Sequence, residues 1–135
     1  MDGMDMQQHL TGTWRNIRME LARTPEFPEG SASRAYIVHL PLREDGTVDE
    51  RVLEVTPVMA GFKRFWPNEP DRSGLVVRDG NGWALSCTGA DGREWAVPIE
   101  MDRLLPGDRV TIGKQGGGCW LFRVVDLQID SAAPR

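Results

Sequence analysis

The sequence predicts an all-β protein: an antiparallel up-and-down barrel of about eight or nine strands with little helix. Three observations lead there. Apolar and polar residues alternate with period two along much of the chain, the pattern of half-buried strands. Turn formers punctuate the alternation: Asp45-Gly46, Asp79-Gly80, Asn81-Gly82, Asp91-Gly92, Pro106-Gly107 and Gly116-Gly117-Gly118. From Leu75 to Leu127 these breaks define five strands at the roughly 8–12-residue spacing of sandwiches and barrels.

The elements follow in order. The first nine residues and residues 131–135 read as tails of a single domain spanning residues 1–135. Leu10, Trp14, Ile17 and Leu21 fit helical spacing, but Ile17, Met19 and Leu21 fit a strand. Thr11-Gly12-Thr13 therefore ends a short helical turn and starts a strand near Thr13. Pro25, Pro28 and Gly30 make the stretch from Thr24 to Ser33 a loop. In the next strand Tyr36, Val38, Leu40 and Leu42 alternate with Ile37, His39 and Pro41. Asp49 to Val55 reads as strand or short helix, and Phe62 to Trp66 as a strand ended by Pro67. Trp83, Leu85 and Cys87 share one face, as do Trp95, Val97 and Ile99 across the Asp91-Gly92 hairpin. Val110 and Ile112 follow, then Trp120, Phe122 and Val124 alternating with Leu121, Arg123 and Val125. Pro98 cannot donate a ladder hydrogen bond, which suggests an edge position or a bulge and imperfect closure of the barrel there. A meander of this size removes its exposed edges by closing.

Composition narrows the function. The 135 residues carry 16 Lys plus Arg and 20 Asp plus Glu, a net charge of -4. That balance argues against a nucleic-acid binder held by phosphate contacts. Arg43, Arg64, Arg72 and Arg78 either cluster as a local basic patch or are ordinary solvated arginines, the reading that a charge pattern of this kind favours. No run of about 18 apolar residues exists to span a membrane. The acidic start, Met1-Asp2-Gly3-Met4-Asp5-Met6, lacks the basic and apolar regions of a secretory signal, so the expected address is the cytoplasm. Cys87 and Cys119 are far apart and expected to be reduced and partly buried. With two histidines they make no zinc spacing, and the sequence suggests neither metal nor cofactor. Gly-x-Ser-x-Gly and His-Glu-x-x-His are absent, and no catalytic residue can be nominated from a motif. The glycine run 116–118 lacks the Lys-Ser/Thr of a phosphate loop and reads as a hairpin turn.

Five tryptophans beside a single tyrosine are the oddest compositional feature. Trp83, Trp95 and Trp120 lie on strand faces, where they either fill the core or line a pocket for an apolar ligand. Trp66, before Pro67, suits a rim. Phe62, Arg64 and Trp66 share one face, and an inward Arg64 would favour an anionic ligand such as a carboxylate; outward, it stands at the barrel mouth. His39 is the one histidine inside a strand, either a ligand contact or a structurally bonded side chain.

Leu10-Thr11-Gly12-Thr13-Trp14-Arg15, just before the first strand, resembles the Gly-x-Trp signature that opens lipocalins and related calycin barrels. The resemblance implies that Trp14 plugs one end of the barrel. It also implies that Arg123, in Trp120-Leu121-Phe122-Arg123-Val124-Val125, packs over the indole, a contact worth about 0.5–2 kcal/mol. The Thr-Asp-Tyr-like turn and C-terminal helix of true lipocalins have no counterpart. The likeness is therefore to lipocalin-like small barrels, and the Asp45-Gly46 and Leu104-to-Val125 patterns resemble those of bacterial members. The expectation is non-catalytic binding of a small apolar or weakly anionic ligand in a shallow cavity, through His39, Arg64, Trp66, Trp83, Trp95 and Trp120. The alternatives are a filled barrel that forms a homodimer, and a cofactor-free enzyme pairing His39 with Glu54 or Glu100 as acid and base.

Overall fold

A computed structural model describes residues 13–89 and 92–129. Gly12, His9, Asp91 and both expected tails lie outside the described residues. Eight antiparallel strands pair in sequence order and close into a barrel, β8 returning to β1. They are β1 (Thr13–Leu21), β2 (Ser31–Leu42), β3 (Gly61–Phe65), β4 (Arg72–Asp79), β5 (Gly82–Thr88), β6 (Glu94–Glu100), β7 (Arg109–Gly113) and β8 (Cys119–Ile129). Between β2 and β3 the chain forms α1 (Glu50–Val55) and a 3-10 turn (Pro57–Met59). Helix thus wins in the ambiguous stretch after Asp49. Asp49 is buried, and its side chain accepts hydrogen bonds from Arg51 N at 3.2 Å and Val52 N at 3.3 Å, an N-cap.

Period-two alternation decides which side chains fill the lumen. Ile17 and Met19 of β1 stand opposite Val38 and Tyr36 of β2. Val97 and Ile99 of β6 stand opposite Leu85 and Trp83 of β5. Val110 and Ile112 of β7 meet Phe122 and Trp120 of β8. Ile17, Met19, Val38, Leu85 and Phe122 are each 0% exposed. The lumen is a packed core, and a buried Phe or Ile stabilises it by about 1.5–3 kcal/mol. One glycine shapes this core: a Cβ on Gly74 would come within 2.1 Å of the Ser86 carbonyl and 2.9 Å of the Phe62 ring. Between β7 and β8, Gly116, Gly117 and Gly118 all have positive φ, so the hairpin needs residues without a Cβ.

Closure is weakest where Pro98 stands. The β6–β7 ladder consists of Ile99↔Ile112 and Glu100↔Thr111, and pairing stops at the proline. Residues 94–97 of β6 therefore run toward one end without a β7 partner.

The two ends differ. At one, the segment from Arg43 to Ala60 folds back, and Leu104 N donates to Gly46 O at 2.8 Å. Val48, Leu53, Ala60 and Leu104 join the core there. At the other, the turns β1–β2, β3–β4, β5–β6 and β7–β8 converge; this is called the open end below.

Candidate functional site

Alternation along β2, β3 and β4 puts three polar side chains on the lumen side at the open end. Tyr36 pairs with Arg64, and Arg64 pairs with Arg72. Directly opposed residues share a face with Cβ atoms about 5 Å apart. Phe62, two residues before Arg64, is buried, and Arg64 itself has a side chain only 13% exposed. The two arginines thus start from neighbouring positions at the top of an apolar core, Arg64 reaching over Trp66 and Arg72 over Trp95. Like charges in that position repel unless an anion lies between them.

Burial pushes the Tyr36 phenol above its ordinary value of 10.0, while a hydrogen bond from Arg64 and the charges of Arg64 and Arg72 act against that rise. Arg64 also pairs with Glu69 Oε1 at 3.1 Å and lies 4.4 Å from the Trp66 ring centre. Arg72 lies 5.4 Å over Trp95. Among the described residues it has no ion-pair or hydrogen-bond partner.

Rings support these cations. Trp66 contacts Trp120 at 5.6 Å and Phe122 at 6.4 Å, Phe122 meets Tyr36 edge-on at 5.1 Å, and Phe62 lies 6.0 Å from Trp95. Trp66 and Trp120 cover one side of the mouth, with Arg34 5.7 Å from Trp66 and Lys114 Nζ 3.9 Å from Trp120. The other side is open. A cleft of about 640 Å³ is lined there by Arg72, Cys87, Trp95, Glu94 and Gln115, among others. It lies where β6 runs unpaired above Pro98. A guanidinium and an indole at the rim of an aromatic-floored cleft can hold an anion with an apolar body.

The structure brings Arg64, Trp66, Trp95 and Trp120 to this end, and Arg64 faces inward rather than out. Trp83 is at the opposite end, with Arg78 4.5 Å over its ring, and helps line an apolar groove beside α1. Of the four arginines considered as a patch, Arg64 and Arg72 meet. Arg78 instead pairs with Glu50 at 2.8 Å, and Arg43 approaches Asp49 at 3.9 Å. Cys87 is buried in the cleft wall and Cys119 is exposed, both as free thiols.

Two expectations are corrected. His39 does not face the lumen: it pairs with Asn16 on the side opposite Val38 and Leu40. Its Nδ1 donates to Met59 O at 2.6 Å, which ties the 3-10 turn to the barrel wall. Glu100 lies four strands around the barrel on β6, and Glu54 is exposed on α1. Trp14 pairs with Pro41 near the start of β1 and belongs to the buried core cluster. It is 4% exposed and stacks on His39 at 4.7 Å. Arg123 is exposed on the outer face, opposite Glu20 of β1 and Arg109 of β7. Trp14 is six residues further down β1, roughly 20 Å away at about 3.3 Å per residue, so the two cannot stack.

Tyr36 and Cys87 are lining residues that the sequence reading did not assign to a site, and Arg72 entered it only as a member of the possible basic patch. A hairpin pairing of Phe62–Trp66 with the following strand would have put Arg72 beside Arg64, but it requires the turn length to be known.

Among the described residues, no group of three or more His, Cys, Asp and Glu side chains is placed to hold a metal ion, and no helix is long and apolar enough to cross a membrane. No known protein family, curated protein or solved structure matches this chain.

Proposed function

We propose that this barrel binds a small, weakly anionic ligand with an apolar body at its open end, without catalysing a reaction on it. The observation that carries the reading is the Tyr36–Arg64–Arg72 row, with Arg72 free of a carboxylate at the rim of a cleft floored by Trp95. Because the lumen is packed, the site is a shallow cup that suits a small molecule rather than a long lipid. The closed eight-strand meander with little helix supports kinship with lipocalin-like barrels of the calycin superfamily; a bacterial member working in the cytoplasm is part of the same proposal. The packed lumen also supports the second reading, a filled barrel whose partner is another copy of the chain.

Native mass spectrometry of freshly purified protein, set against the denatured mass, separates the two. A bound small mass that denaturation releases is the expected result. A clean dimer mass with no small ligand favours the second reading. A titration with 8-anilinonaphthalene-1-sulfonate, an apolar aromatic anion, is the direct check: its fluorescence should rise with wild-type protein and fall at least about tenfold in affinity with Arg72→Gln, since loss of a charged partner costs about 1.5–3 kcal/mol. Equal binding by both proteins would remove Arg72 from the site.

A further inference from the structure

The arginine row already holds one anion, and it belongs to the chain itself. Glu69 sits in the turn between β3 and β4, and its Oε1 reaches back to Arg64 NH1 at 3.1 Å. The turn is a tight one: Glu69 N donates to Trp66 O at 3.3 Å, and Asn68 has φ 63, the one non-glycine residue with positive φ among those described. The Glu69 side chain is 44% exposed, against 13% for Arg64. Glu69 thus pairs with Arg64 from the solvent side, and the cross-strand neighbour Arg72 is left facing the cleft.

This arrangement has a cost and a remedy. A half-exposed ion pair is weak, typically less than a tenfold effect on an equilibrium, so Glu69 can be displaced. A carboxylate entering from the cleft would lie between both guanidiniums, with the Tyr36 hydroxyl beside them, and would relieve the repulsion that Glu69 relieves only in part. Releasing one negative charge as another binds leaves the local charge unchanged. Glu69 thus marks the chemistry that the row accepts.

We propose that Glu69 is a tethered competitor for a small apolar carboxylate. The ligand's carboxylate takes Arg64 and Arg72 together, its apolar body rests against Trp95 and Cys87, and Glu69 is released to solvent. The inference rests on the reading of the open end as an anion site, and it adds the class of head group and an internal control on affinity.

Isothermal titration with sodium benzoate tests it, with benzyl alcohol and inorganic phosphate as comparison ligands. Wild-type protein should bind benzoate and not benzyl alcohol. Glu69→Gln keeps the side-chain volume and removes the charge; it should tighten benzoate about two- to fivefold, the range for a half-exposed pair. Arg72→Gln should weaken benzoate at least about tenfold. In the Arg72→Gln background, Glu69→Gln should bring a smaller gain, because the bridging position is gone. Benzoate binding that is unchanged or weaker in Glu69→Gln overturns the competitor role and leaves the binding site standing. Phosphate binding more tightly than benzoate overturns the carboxylate class. If wild-type protein binds none of benzoate, phosphate or 8-anilinonaphthalene-1-sulfonate, the open end is no anion site and both conclusions fall. Circular dichroism of each variant confirms that the barrel is intact.

Discussion

At one end of the barrel a folded-back segment and the loop before β7 supply Val48, Leu53, Ala60 and Leu104 to the core. At the other, four turns supply Trp66, Trp120, Lys114 and Glu69 around an inward-facing arginine pair. Both ends cover the same kind of apolar lumen. The first does it mainly with aliphatic side chains and a helix whose N-cap, Asp49, accepts from Arg51 N and Val52 N. The second does it with rings that carry cations on their faces, and one guanidinium still faces a cleft. Aliphatic burial is non-directional and serves stability. Charges held at the edge of a low-dielectric core are costly to leave uncompensated, so they are poised to bind. The contrast separates the part of the molecule that keeps it folded from the part proposed to meet a ligand.

The contrast can be broken at either end. Leu104→Ala should have the largest effect on stability, a loss of about 2–5 kcal/mol, because Leu104 is 0% exposed and its removal leaves a cavity. Urea unfolding measures it, and Arg72→Gln in the same assay should stay within about 0.5 kcal/mol of wild type. A loss under about 1 kcal/mol for Leu104→Ala would show that the folded-back segment is an accessory rather than part of the core. Asp49→Ala should cost about 1 kcal/mol through loss of the cap on α1. An unchanged urea midpoint would mean that α1 holds without its cap.

The open end is sharpened by its phenol. Tyr36 is the single tyrosine, so ultraviolet absorbance follows it alone. Its midpoint should lie above 10.0, chiefly because of burial. A raised phenol favours the folded state fully at pH values below 10.0, and that stability is lost as pH rises through the folded value. Tyr36→Phe should therefore flatten the alkaline decline. Arg64→Gln removes a hydrogen bond and a charge that hold the phenol down, so it should raise the midpoint further; a fall would mean that Arg64 does not face Tyr36. The smallest effect belongs to the loop under the closed end. Asp108 is held below the usual carboxylate range, first by the hydrogen bond from Arg103 and then by that from Leu105 N. Its contribution is present above the unfolded value of 3.8 and lost as pH falls through the lower folded value. Asp108→Asn should slightly flatten the acid limb of the stability curve, and a steeper limb would contradict the assignment.

Reading the chain in one dimension recovered most of the strands. Alternation and turn chemistry are local: Trp83-x-Leu85-x-Cys87 and the Gly116–Gly118 run need no distant partner to say strand and hairpin. The pairing weakness at Pro98 was legible for the same reason, since a missing N–H is a property of the residue. The stretch after Asp49 was not legible as helix, because a six-residue helix is held by its cap and by burial of Leu53 more than by propensity. The same division runs through the site. That His39 and Tyr36 lie on opposite faces follows from spacing alone; which of those faces is the lumen depends on how the barrel curls. Trp14 and Arg123 each looked apt for a stack that register forbids, since Arg123 pairs with Glu20, six residues along β1 from Trp14. Arg64, Arg72 and Tyr36 became neighbours through the β2–β3–β4 ladders. Pattern travels two residues at a time, whereas a binding site joins residues dozens of positions apart, and only long-range hydrogen-bonded pairing sets that alignment.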